Sequence, residues 1–210
     1  MKKFFLFAML FAVASMFTSC EDPDKKLVND LKGTWSGTTT IDDDDLPVEY
    51  QFFESTDGHT GMFIEVTHLS ILDTIDYTVY EVPYRAYVGG SYSVKDGWLS
   101  ITYDSETSTI IFDEDVAYDY IAAFLDNARE RGDEDWMNET PEDVTEYFIN
   151  SRTEDIEDEW REMCDNFNKG KKDGFSHLTV SPSKMSFSAS DGPAEFDRTD
   201  DIFDSYPFED

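Results

Sequence analysis

Few side chains in this sequence are of the types that do covalent chemistry. There are two cysteines, Cys20 and Cys164, and three histidines, His59, His68 and His177. Glu162 and Asp165 flank Cys164, and nearby negative charge favours the thiol over the nucleophilic thiolate. Ile156, Trp160, Met163 and Phe167 surround it at a helix-like spacing, which predicts a buried, unpaired thiol. His59 falls in a turn, His68 shares the parity of Met62, Ile64 and Val66, and His177 opens a late strand; no zinc spacing relates them. The acidic runs Asp42–Asp45 and Asp113-Glu114-Asp115 lack the spaced ligands, glycine and terminal glutamate of a calcium loop, and are expected to be solvated loops. No G-x-S-x-G, no Cys/His pairing and no phosphate-cradling glycine loop is present. Carboxylates are too abundant for any one pair to stand out as a glycosidase dyad. The expectation is a non-enzymatic protein without cofactor or metal.

Cys20 is different because of what precedes it. Met1, Lys2 and Lys3 give a short positive start, and Phe4 to Phe17 carries no charge. That stretch is short for a membrane span, which needs about 20 apolar residues, and the layout is that of a secretory signal peptide. Phe17-Thr18-Ser19-Cys20 resembles the lipobox of bacterial lipoproteins, with phenylalanine in place of the usual aliphatic residue three places before the cysteine. The resemblance implies that Cys20 is diacylated and becomes the mature N-terminus, held in the cell envelope, most readily at the outer membrane. Stable anchoring takes more than one acyl chain at ~0.8 kcal/mol per buried methylene, which a lipidated cysteine satisfies. Residues 1–19 are then the leader and residues 20–26 a tether. Lipidation of Cys20 leaves Cys164 without a partner.

Removing residues 1 to 19 takes away Lys2 and Lys3, so 14 basic side chains remain against 47 acids, a charge of −33. Such a surface repels nucleic acid and anionic headgroups and favours a soluble monomer. Aromatic residues make up 15% of the chain, which separates it from acidic disordered segments.

From Gly33 to Phe112 the chain reads as short runs rich in Thr, Tyr, Val and Ile, broken by turn residues. Strands are expected at 34–41, 47–54, 60–69, 74–82, 84–94, 97–103 and 107–112, with separators at Asp73 and Pro83 among others. Asp96-Gly97 between alternating apolar residues is the clearest hairpin signal. Residues 116–170 read as a helical block. It shows an Ala117, Ile121, Phe124, Leu125, Ala128 stripe, a Thr140-Pro141 helix start and a re-entry into helix at Thr153. Strands return at 175–180, 184–189 and 194–199. The pattern predicts a mainly β domain over 27–210: an antiparallel barrel of about 8–10 strands with a helical insertion before the last strands.

Gly33-Thr34-Trp35 follows a short helical turn and opens the first strand, and Arg198 is the one basic residue of the last. These features resemble the G-x-W start and closing arginine of lipocalins and of lipocalin-like lipoproteins. Residues 91–104 and 177–188 are similar to the later hairpins of those lipoproteins. The resemblance implies an up-and-down barrel, closed at one end by packing of Arg198 across Trp35. It also implies a pocket for a small apolar or amphipathic molecule, or a glycan fragment. Tyr50, Phe52, Tyr77, Tyr92 and Tyr103 have the parity to line such a pocket or simply to form a core. The second expectation is a scaffold whose acidic helix face, with Glu154, Asp155, Asp158 and Glu159, binds a basic protein partner. The lipid anchor gives the first prediction. Cys20→Ser should move the chain from the detergent-soluble envelope fraction to the soluble one and abolish palmitate labelling; unchanged fractionation and labelling would contradict lipidation.

Overall fold

The computed structural model describes residues 22–41, 44–170, 176–189 and 192–199. Cys20 therefore lies outside the described residues, as do Asp42 and Asp43. The order is α1 (Pro23–Leu31), β1 (Gly33–Ile41), β2 (Asp44–Phe52), β3 (Thr60–Ile75), β4 (Thr78–Lys95), β5 (Trp98–Phe112), α2 (Glu114–Arg131), a 3-10 turn (Glu134–Trp136), α3 (Pro141–Gly170), β6 (Ser176–Val180), β7 (Lys184–Ala189) and β8 (Gly192–Thr199). The eight strands form one antiparallel, curled, barrel-like sheet in the order β5-β4-β3-β2-β1-β8-β7-β6. Its two edge strands, β5 and β6, are the strands between which the helices are inserted. The edges meet through the Leu178 N–H, which donates to the Gly97 carbonyl at 3.2 Å.

Two apolar clusters share the concave face. The first fills the curl with Trp35, Tyr50, Phe52, Phe63, Tyr92, Leu99 and Phe196, under a lid of Val28 and Leu31 from α1. The second lies where β3, β4 and β5 run on beyond the curl. There Val82, Ala86, Ile110 and Phe112 pack against Ile121 and Leu125 of α2 and Trp160 and Cys164 of α3. Long strands therefore do two jobs, lining the curl at one end and forming a platform for the helices at the other.

Several boundaries differ from the sequence expectation for local reasons. β3 and β4 are continuous through Asp73 and Pro83, and pair from Thr60↔Ser93 to Ile75↔Thr78. Pro83 is tolerated because its carbonyl, and hence its missing N–H, faces the β5 side just past the last β4–β5 pair, Tyr84↔Phe112. That carbonyl accepts from Asp113 N–H at 3.0 Å instead. The hairpin turns at Asp76-Tyr77, both with positive φ, the two-residue geometry usually signalled by Asn-Gly. α1 begins at Pro23, with the Asp22 side chain accepting from Asp24 N–H, so part of the expected tether is helix. α3 does not restart at Thr153 but runs unbroken from Pro141, since no glycine or proline interrupts it before Gly170. Thr140 Oγ1 accepts from Asp143 N–H at 3.2 Å and donates to Asp143 Oδ2 at 2.8 Å, which fixes its start.

One end of the sheet is latched by Arg198. Trp35 and Arg198 are cross-strand partners of β1 and β8, and the guanidinium lies 4.3 Å from the indole ring centroid. Its two terminal nitrogens donate to the carbonyls of Lys32 at 2.8 Å and Asp30 at 2.6 Å. These carbonyls belong to the end of α1, where helix acceptors lack internal partners. The Trp35 indole N–H donates to Leu31 O at 2.7 Å. Gly33 sits at φ +125, and a Cβ there would come 2.7 Å from an Arg198 nitrogen. Arg198→Ala should therefore lower stability by about 1.5–3 kcal/mol, the range for hydrogen bonds to a charged group, read by urea unfolding. A change below the noise of that experiment would show that the latch is decorative.

Candidate functional site

The aromatic residues expected at a pocket divide. Tyr50, Phe52 and Tyr92 are buried in the curl and Tyr103 is half-buried at its edge, whereas Tyr77 is 98% exposed at the β3–β4 turn. The reason is the turn itself: Tyr77 occupies one of its two positive-φ positions, so it belongs to no strand face, and the pocket expectation fails there. The interior aromatics contact one another. Ring centroids are 5.2 Å apart for Phe52 and Tyr92, 5.3 Å for Tyr50 and Phe196, and 5.5 Å for Phe63 and Tyr103, all edge-to-face contacts.

Sequence reading missed Glu65. The apolar alternation of Met62, Ile64 and Val66 sets Glu65 on the other face, yet that face, with Phe63 and Thr67, is the concave one, and Glu65 is only 7% exposed. The Tyr103 hydroxyl donates to Glu65 Oε2 at 2.5 Å, Thr67 Oγ1 donates to Oε1 at 3.3 Å, and the Tyr50 hydroxyl bonds to the same carboxyl. Burial pushes the Glu65 pKa up, and the three hydroxyl hydrogen bonds offset only part of this. Burial, and then the Glu65 charge, hold the Tyr50 and Tyr103 hydroxyls well above the ordinary tyrosine range. Cys164 sits on the helix side of this cluster, free and 2% exposed. Burial first, and then Glu65 and Asp165, raise its pKa to about 12, so at neutral pH it is a thiol that packs and does not attack.

The end of α3 seals the seam beside this cluster. Asn168 accepts from Tyr103 N–H at 3.1 Å and donates to Tyr103 C=O at 2.8 Å, as a neighbouring strand would. Phe167 adds an edge contact to the Tyr103 ring at 5.0 Å. A register shift between Tyr87 and Gly89 bulges β5 toward the helix. Thr107 Oγ1 takes the Gly89 N–H at 2.7 Å and Ser105 Oγ donates to Asp165 Oδ1 at 3.0 Å.

Outside the curl, α2, the 3-10 turn and α3 enclose a groove with a cavity volume of about 340 Å³. Its wall carries Tyr120, Phe124, Trp136, Tyr147 and Phe148, with Arg152 at the rim. Phe124 and Trp136 meet edge-to-face at 5.1 Å. The Tyr120 hydroxyl donates to Asp73 Oδ2 at 2.5 Å. Burial and this bond raise the Tyr120 pKa to about 12. The same bond, with the Arg152 charge behind it, lowers that of Asp73.

On the acidic face of α3, Asp158 pairs with Arg161, and Asp155 lies 3.9 Å from Arg152; Glu154 and Glu159 are exposed. The face is thus partly neutralised by its own helix. His68 Nε2 lies 3.5 Å from Glu49 Oε1, and the side chain of His177 lies outside the described residues. Asp113 accepts from Val116 N–H at the start of α2, a cap in place of a metal ligand. Asp22, Asp24 and His59, remote in sequence, bring donor atoms within 4.8 Å of one another beside a surface cavity. No helix among the described residues is long and apolar enough to cross a membrane. No family model, curated protein or solved structure matches the chain.

The Glu65 pKa has a consequence for stability. Because its folded-state value is raised, its favourable contribution is complete below the ordinary carboxylate pKa and is lost as pH rises through the folded value. Glu65→Gln should therefore gain on the wild type in thermal melts between pH 4 and pH 8, with the smallest difference at pH 4. A gap independent of pH would mean that Glu65 is not buried as a strained acid.

Proposed function

We propose that this chain is a lipid-anchored, non-enzymatic protein of the cell envelope with a lipocalin-like body. It binds a small amphipathic molecule in the groove between α2 and α3. The up-and-down strand order and the stacking of Arg198 on Trp35 support the lipocalin-like body. The observation that carries the binding site is the division between the two aromatic sets. Those in the curl satisfy one another and are buried, while those of the helical groove face a cavity of about 340 Å³. That volume falls within the range of small-ligand sites.

The groove chemistry favours an amphipathic ligand with one flat or alkyl portion. Trp136, Phe124, Tyr147 and Phe148 offer ring surface, and Ser151 and Arg152 place polar groups at one side. A sugar ring with an apolar substituent matches both halves, since its C–H face stacks on an aromatic and its hydroxyls reach the polar rim. The protein-scaffold alternative is weaker because Arg152 and Arg161 already answer two of the acids it needs.

Octyl glucoside below its micellar concentration is a suitable probe, followed by saturation-transfer NMR. Trp136→Ala and Tyr147→Ala should each weaken binding about threefold to tenfold, corresponding to ~0.7–1.4 kcal/mol for one ring contact. Charge reversal at Glu154, Asp155, Asp158 and Glu159 should leave it unchanged. Binding that ignores both aromatic variants, or a probe that does not bind, would contradict the groove assignment.

A further inference from the structure

In the N-terminal part of the described chain, three side chains with metal-ligating atoms converge. Asp22 caps α1, Asp24 stands in its first turn, and His59 comes from the loop between β2 and β3. One donor atom from each lies within 4.8 Å of the other two. We propose that Asp22, Asp24 and His59 form a divalent metal site of the zinc class. The site is independent of the α2–α3 groove.

The donor set is one imidazole nitrogen and two carboxylate oxygens, a combination that suits Zn²⁺ with its remaining position open to water. His59 Nε2 and Asp22 Oδ2 are 3.4 Å apart, close to the ~3.3 Å between two ligands on one tetrahedral ion with metal–ligand bonds of about 2.0 Å. Asp24 is held from behind: its Oδ2 accepts from Asp96 N–H at 2.7 Å and its Oδ1 from Gly97 N–H at 3.0 Å. Those donors belong to the tight β4–β5 turn and orient the carboxylate as outer-shell partners orient metal ligands. Each carboxylate oxygen that accepts one hydrogen bond keeps a further lone-pair position for a metal.

The loop carrying His59 is itself fixed by an adjacent acid. Asp57 Oδ1 accepts from the N–H groups of His59 at 2.8 Å and Thr60 at 2.7 Å, and its Oδ2 accepts from the Thr60 hydroxyl at 2.8 Å. The Val94 N–H donates to the His59 carbonyl at 2.9 Å, tying the loop to β4. Backbone on both sides of the site is therefore set before any ion arrives. The surrounding cavity, lined also by Leu27, Ser93 and Lys95, gives water and metal an entry path. Asp22 stands two residues after Cys20 in the sequence. An ion held there clamps the start of α1 onto the β2–β3 loop and the β4–β5 turn.

Isothermal titration of the purified chain with zinc chloride tests the site, with Asp22→Asn and His59→Ala as variants. Asparagine still caps a helix, so Asp22→Asn removes a charged ligand while keeping the local fold, which the melting temperature without added metal verifies. The expected result is one zinc per chain with a rise in melting temperature, and at least tenfold weaker binding in both variants. Cobalt substitution should add visible absorption bands that His59→Ala abolishes. The proposal is overturned by absence of binding at 100 micromolar zinc. It is equally overturned by binding that survives either substitution, or by a response to calcium alone that does not need His59.

Discussion

The bidentate contact between Asn168 and the backbone of Tyr103 is the interaction on which the rest of the molecule turns. An antiparallel barrel built from eight consecutive strands has no edge, but this sheet receives a helical insertion between β5 and β6 and so acquires two edges. An exposed edge leaves N–H and C=O groups unpaired and invites other strands. Asn168 answers one N–H and one C=O of β5 as a strand would, at 3.1 and 2.8 Å. It thereby docks the end of a 30-residue helix against the seam. With α3 fixed there, Cys164 and Phe167 cover Tyr103, and Tyr103 in turn covers Glu65.

That sealing explains why one concave face carries two different environments. Inside the curl the aromatic rings contact one another, and Glu65, the one buried acid among the described residues, is held by three hydroxyls. Beyond the curl, strands of 15 to 18 residues outrun the neighbouring strand β2, leaving a platform that the helices cover. The helices bury their stripes there, and aromatics at the edge of that packing, from buried Tyr120 to exposed Tyr147, line the outer groove. The sealed seam and the external groove are thus two results of one insertion.

Much of this was legible in the residues. The Asp96-Gly97 turn, the helix start at Thr140-Pro141 and the β–helix–β order follow from local chemistry that tertiary contacts did not override. What was not legible has identifiable causes. Asp76-Tyr77 makes a tight turn without glycine, so the alternation of Ile75, Tyr77 and Val79 looked like a strand face and placed Tyr77 inside. Pro83 looked like a terminator because its harmlessness depends on where a different strand stops pairing. Glu65 looked like any surface acid, since its burial is decided by the parity of a strand whose interior side is shared with Phe63. The convergence of Asp22 and Asp24 with His59 depends on the path of the β2–β3 loop and has no local signature.

The proposed groove site requires that the interior aromatics be core and that ligand meet the outer helical groove instead. Mapping where small apolar fragments make intermolecular NOEs in NMR tests this directly. NOEs are expected to Phe124, Trp136, Tyr147 and Phe148; NOEs to Phe52, Phe63 and Tyr92 would place the ligand inside and contradict the groove proposal.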